Sequence, residues 1–297
     1  MNVVPLAYDR FGSNDDEAIL LIPGLGTQRI RWTDAFCHGL VSRGFQVIRF
    51  DNRDSGESTH LAELPAPNLQ AFITQARSGI PVKVPYTLRE MAADAIALLD
   101  ALHLDRVHVA GRSMGGMIAQ IVASEFPQRT LSLTSIMSST GNPSLPSAAP
   151  DVMELMMRQA PSPYEDEAGY LAHGLAFARR ISSPAYEFDE TAYRSLLLEE
   201  VRRRYDPQGF ARQIAALAFT GDLRPQLAKI TAPTLVIHGA DDPLVLPACG
   251  VDTAASIPGA ELMLIEGMGH DLPVALYERV IEAIAKTARR GSTAITQ

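Results

Sequence analysis

The stretch Gly111-Arg112-Ser113-Met114-Gly115-Gly116 restricts the fold of this 297-residue chain more than any other. Before it stands Val107-His108-Val109-Ala110, a short, mostly apolar, β-branched run that reads as a buried strand. After it, Met117 to Glu125 has few breakers and recurring apolar positions, so it reads as a helix. Gly-x-Ser-x-Gly between a strand and a helix is the pattern of a nucleophile elbow. Such a turn is sharp enough to strain the serine backbone, and a Cβ two residues to either side would crowd it, which accounts for Gly111 and Gly115. The hydroxyl of Ser113 is then exposed at the strand end, facing the positive end of the next helix. A Gly-rich turn that only packs a strand on a helix has the same local sequence. The choice between the two rests on partners elsewhere in the chain.

A serine needs a base to take its proton, and the base is usually a histidine oriented by a carboxylate. On a strand–turn–helix elbow the partners follow in the order acid, then histidine. Ile237-His238-Gly239 ends a strand-like run and leads into two candidate acids, Asp241 and Asp242. Asp242, followed by Pro243-Leu244-Val245, is preferred, with Asp241 as the alternative. Of seven histidines, only His270 follows the acid. It lies in Gly267-Met268-Gly269-His270-Asp271, a flexible loop after the last strand-like run. Ile19-Leu20-Leu21-Ile22 reads as a central strand, and the loop after it, Pro23-Gly24-Leu25-Gly26, is where a second oxyanion-binding N–H is expected. That donor is assigned to Leu25, with the N–H of Met114 as the first. Asp51 precedes the serine and is given a structural role in the tight loop Asp51 to Ser58.

The remaining pattern alternates strands and helices. Val3 to Tyr8 is expected as an edge strand, and Phe45–Phe50, Leu131–Met137, Thr234–Ile237 and Leu262–Ile265 as further strands. Helices are expected at Trp32–Val41 and Leu272–Ala288. Another begins at the capping box Thr87-Leu88-Arg89-Glu90 and runs to about Leu102. A short helix is expected over 68–77, inside a proline-containing loop spanning 60–86. Strand–helix alternation implies a mostly parallel sheet covered on both faces, an α/β architecture with its site at the carboxyl ends of the strands. Residues 141–222 break the alternation, the serine- and proline-rich stretch Ser138 to Pro163 giving way to helical patterning with no evident strand from Tyr164 to Thr220. They read as a helical cap on a core formed by 1–140 and 223–297. Cap residues Met156, Met157 and Phe177 are expected to line an apolar substrate pocket, where unbranched methionines suit several shapes.

The net charge of −8 argues against a nucleic-acid footprint, and the Arg202-Arg203-Arg204 triplet, set among acids, reads as a solvated helix face. No signal-peptide pattern or membrane-spanning run is recognisable, so a cytoplasmic chain with no membrane partner is expected. Cys37 and Cys249 read as free thiols. No histidine–carboxylate spacing suggests a metal, and no loop carries a phosphate-binding lysine, so no cofactor is expected.

With Arg49-Phe50-Asp51-Asn52-Arg53-Asp54, Ser113-Met114-Gly115-Gly116, Asp242-Pro243 and Gly267 to Pro273 in place, the chain resembles an α/β-hydrolase. Within that superfamily it is similar to the aclacinomycin methylesterase-like carboxylesterases. The resemblance implies an eight-stranded sheet, a helical cap after the sixth strand, and cofactor-free hydrolysis of a small-molecule carboxylic ester. Many relatives carry His-Gly where this chain has Pro23-Gly24. Lactonases, carbon–carbon bond hydrolases and cofactor-free perhydrolases share the same triad, so the fold does not settle the substrate. A ligand-binding protein on a hydrolase scaffold is the non-enzymatic alternative, against which the chemically intact triad positions argue.

Overall fold

In the computed structural model, residues 3–68 and 83–293 are described. Their strands form one seven-stranded sheet in the order β1-β3-β2-β4-β5-β6-β7. The strands are β1 (Tyr8–Phe11), β2 (Ala18–Ile22), β3 (Gln46–Phe50), β4 (Val107–Arg112), β5 (Thr130–Ile136), β6 (Thr234–Gly239) and β7 (Glu261–Ile265). Only β1 runs antiparallel, against β3, and all other neighbours are parallel. The eighth strand that the resemblance implies does not appear among the described residues. The segment read as a strand over Val3–Tyr8 lacks a ladder, because Pro5 has no N–H to donate. Its polar groups go instead to a helix and a loop: Val4 N–H to Asp94 of the helix Leu88–Ala101, Ala7 N–H to Ser58, and the carbonyls of Pro5 and Ala7 to the N–H groups of Thr59 and Asp51. The edge strand starts later, at Tyr8.

Side chains alternate between the two faces of each strand, and both faces are buried. On β2, Ala18, Leu20 and Ile22 pack into one cluster with helices α2 (Leu88–Ala101) and α3 (Met114–Glu125). Ile19 and Leu21 pack into the other, with α1 (Asp34–Val41) and a C-terminal helix, Tyr277–Thr293. The capping box read at Thr87 is present, with Thr87 and Glu90 bonded reciprocally. The helix expected over 68–77 falls outside the described residues, apart from Asn68.

Between β5 and β6 the described chain is helical: α4 (Pro150–Met157), α5 (Glu167–Ile181), α6 (Glu190–Arg203), α7 (Pro207–Phe219) and a one-turn α8 (Arg224–Leu227). The two ends of this helical segment are tied together after β5 and before β6, where Leu223 N–H donates to Thr140 C=O at 2.8 Å. Polar bonds fasten these helices to the loops at the carboxyl ends of the strands. Arg212 of α7 forks onto Asp54 with two 2.8 Å bonds, and both residues are buried. Glu200 of α6 accepts two bonds from Arg31. Arg203, read as part of a solvated face, instead pairs with Asp51 and Glu57 of the core. Helix α9 (Pro247–Ser256) links β6 to β7, and the C-terminal helix becomes α10 in this order. No helix of the described residues is long and apolar enough to cross a membrane.

Candidate active site

Ser113 stands between β4 and α3 with φ 56° and ψ −125°, a positive-φ conformation that a non-glycine residue adopts only under constraint. The constraint is the close approach of strand and helix. A Cβ on Gly111 would lie 2.0 Å from the carbonyl oxygen of Gly115, and one on Gly115 would lie 2.3 Å from that of Ile22. Bonds from Ser113 N–H to Ile136 C=O and from Ser138 Oγ to Ser113 C=O hold the turn.

The structure brings the three residues singled out by their order together. His270 Nε2 lies 3.1 Å from Ser113 Oγ, and His270 Nδ1 lies 2.7 Å from Asp242 Oδ2. A carboxylate only accepts, so Nδ1 carries a proton and Nε2 of the neutral ring presents its lone pair to the serine. Asp242 is 1% exposed and His270 7%. The other oxygen of Asp242 accepts the backbone N–H groups of Leu244 and Val245, both at 2.9 Å, which fixes the carboxylate plane. Asp241 faces away and accepts the N–H of Gly267. His238 is buried on β6, bonded to Val245 C=O, and burial lowers its affinity for a proton.

The loop expected to hold the second donor lies against the elbow. A Cβ on Gly24 would be 3.4 Å from that of Ser113. Among the described residues, no acceptor is bonded to the backbone N–H of Leu25 or of Met114. The neighbouring Gly26 N–H donates to Gln213 Oε1 at 2.8 Å, and Gln213 Nε2 donates to Arg53 C=O at 2.8 Å. Gln213, 187 residues from Gly26, escaped the sequence reading because nothing local marks it. The same holds for Ser183, which donates to Asp271 and accepts from Gly269 N–H, and for Ile181, whose carbonyl takes the N–H of His270 at 2.7 Å. The histidine loop is thus clamped by the end of α5. Asp51 is buried and holds its loop by accepting the N–H groups of Arg29 and Glu57, as its structural assignment requires. Met156, Met157 and Phe177 sit half-buried on α4 and α5, outside both hydrophobic clusters of the core.

Cys37 and Cys249 are free, buried thiols, and burial pushes Cys37 up to about 12. One group among the described residues has metal-ligand geometry, Asp54, His60 and Asp206. Its donors are already engaged: Asp54 by Arg212 and Tyr86, and Asp206 by His60 at 2.6 Å and Gly209 N–H. A cation placed there would confront the Arg212 guanidinium.

The model of the alpha/beta hydrolase fold matches residues 17–274. Rhodomycin D methylesterase DauP of Streptomyces sp. (strain C5) is 30% identical over 96% of this chain and 95% of its own. The 3-oxoadipate enol-lactonase 2 of Acinetobacter baylyi is 28% identical over 95% of this chain and 94% of its own. Among solved structures, the enol-lactonase of Burkholderia xenovorans LB400 superposes with a TM-score of 0.69 at 25% identity, covering 98% of this chain and 97% of that one. Fold, elbow and relatives agree with the resemblance read from the motifs, and the chain belongs to the α/β-hydrolase fold family.

Proposed function

We propose that this chain is a serine carboxylesterase working through an acyl-enzyme. The observation that carries the reading is the unbroken line from Asp242 through His270 to Ser113, at 2.7 Å and 3.1 Å, on a strained elbow. Ser113 Oγ attacks the ester carbonyl while His270 Nε2 takes its proton. Asp242 orients the ring and stabilises the imidazolium. The N–H groups of Met114 and Leu25 receive the oxyanion, a role in which one donor is worth about 100- to 1,000-fold in rate. The intermediate collapses, the alkoxide leaves as the alcohol with the proton from His270, and the acyl group stays on Ser113. Water then attacks the acyl-enzyme, His270 again acting as base and then acid, and the carboxylic acid is released.

Residues 141–222 serve as a cap over the core of 1–140 and 223–297, and Met156, Met157 and Phe177 shape an apolar pocket for small to medium esters. The bonds from α5, α6 and α7 to the histidine loop, Arg31 and Gly26 support the cap reading. The similarity to a methylesterase favours an acyclic ester, and the similarity to enol-lactonases favours an internal one. The chemistry is the same, and a screen of esters against lactones decides between them.

A fluorophosphonate probe followed by peptide mass spectrometry tests the nucleophile. Wild type labels at Ser113, and Ser113→Ala neither labels nor hydrolyses p-nitrophenyl butyrate. A folded Ser113→Ala variant with near wild-type turnover would overturn the assignment.

A further inference from the structure

Arg112 directly precedes the nucleophile, and among the described residues its charge is not matched by a bonded carboxylate. Among the described residues, every other arginine that is not fully on the surface has a carboxylate oxygen within 4.0 Å. Arg29, Arg49, Arg53 and Arg212 are the buried cases, bonded to Asp9 or Asp51, Asp9 or Asp34, Asp94, and Asp54. Arg112 has no such partner. Its guanidinium makes one long bond, 3.4 Å, to the carbonyl of Arg31 and lies over the Trp32 ring at 5.6 Å. Among the described residues most of its five N–H donors therefore have no acceptor, in a half-buried position.

The groups that face it sharpen the point. Arg31, Tyr193, Tyr277 and Asp271 act on Arg112 electrostatically. Arg31 is a like charge whose own carboxylate, Glu200, is held by a two-bond fork. Asp271 follows His270; its Oδ1 accepts the N–H and hydroxyl of Ser183, and its charge favours the guanidinium from beyond ion-pair distance. Burial first, and Arg31 second, make the protonated guanidinium less favourable there. A half-buried cation kept beside another cation is costly unless an anion joins it. The guanidinium faces the histidine loop, since Asp271, which follows His270, acts on it electrostatically, and Arg112 itself precedes Ser113 at the carboxyl end of β4.

We propose that Arg112 is a specificity-determining residue that binds an anionic group of the substrate, so that the natural ester carries a free carboxylate close to its scissile carbonyl. This deepens the esterase reading and rests on it. The rest of the substrate stays apolar, and the carboxylate takes the guanidinium as a fork.

The test compares charged esters with their neutral methyl-capped twins. On the acyl side the pairs are p-nitrophenyl hemisuccinate and hemiglutarate against their methyl esters. On the alcohol side the pair is carboxymethyl butyrate against its methyl ester, followed by pH-stat. Wild type favours the charged member in kcat/KM in at least one pair, and Arg112→Met lowers that preference by ~10- to 100-fold, the range for one charge-assisted bond. The ratio is insensitive to how much of the variant is folded. Added salt weakens the wild-type preference. Absence of preference in every pair, or an unchanged preference in Arg112→Met, overturns the anion site. Fluorophosphonate labelling separates the two readings. Ser113 labelled without anion preference removes only this proposal, and Ser113 unlabelled removes both.

Discussion

Asp242→Asn reverses a proton without moving an atom. Oδ1 of Asp242 accepts two backbone N–H groups, from Leu244 and Val245, each at 2.9 Å. In the asparagine variant that position must be the amide oxygen, since an NH2 group there would face two donors. The amide NH2 is then forced into the Oδ2 position, 2.7 Å from His270 Nδ1. It donates, so Nδ1 must accept, and the ring proton moves to Nε2. The ring then offers a donor to Ser113 Oγ and cannot take its proton. This tautomeric error costs about 10,000-fold in kcat where it has been isolated in a triad, or about 5 kcal/mol of transition-state stabilisation. Asp241→Asn can still accept the N–H of Gly267 through its amide oxygen, so it changes turnover by less than about threefold. Hydrolysis of p-nitrophenyl butyrate measures both. Nitrogen-15 NMR of the His270 ring reports the tautomer, Nδ1–H in wild type and Nε2–H in Asp242→Asn. Asp242→Asn turnover within tenfold of wild type, or a larger loss in Asp241→Asn, would refute the reasoning.

Arg212→Met leaves Asp54 buried without its guanidinium, and unfolding in urea, followed by the fluorescence of the only tryptophan, the buried Trp32, shows a loss of about 3–5 kcal/mol. Adding Asp54→Asn recovers most of it. Gly115→Ala drives a Cβ to 2.3 Å and 2.5 Å from the carbonyls of Ile22 and Pro23, and the same assay registers a cost of at least about 3 kcal/mol or no soluble protein. Alanine at Met156, Met157 or Phe177 shifts the chain-length preference among p-nitrophenyl esters in at least one of the three variants, while Ser113 labelling by a small fluorophosphonate stays similar.

The elements that carry the chemistry were legible because their constraints are local. Gly111 and Gly115 are required by contacts within a few residues of Ser113 and by the adjacent end of β2, so the motif marks them. The capping box at Thr87 is written in four consecutive residues. The apolar run Ile19-Leu20-Leu21-Ile22 announces a strand buried on both faces. The order serine, acid, histidine narrowed the base to His270, since it is the only histidine after the acid. The edge strand was placed too early because β-propensity says nothing of which backbone groups find a partner. Only the packing of Pro5 and its neighbours against the Asp51–Thr59 loop settled that.

Tertiary structure alone decided the rest. Asp241 and Asp242 are adjacent and chemically identical, and the choice between them as partner of His270 depends on which carboxylate the turn after β6 aims at the imidazole. Gln213, Ser183 and Ile181 act on the site across the sequence, each through one or two hydrogen bonds that leave no periodic trace. Arg203, one of three consecutive arginines, turns inward to Asp51 while Arg202 stays exposed, a difference set by helix phase and by what lies opposite. Arg112 shows the limit most clearly. Its place beside Ser113 was written in the sequence, but its want of a carboxylate became visible only once every other described arginine off the surface had found one. Local backbone geometry depends on near neighbours and can be read along the chain, whereas the pairing of charges depends on what the fold brings within 4 Å.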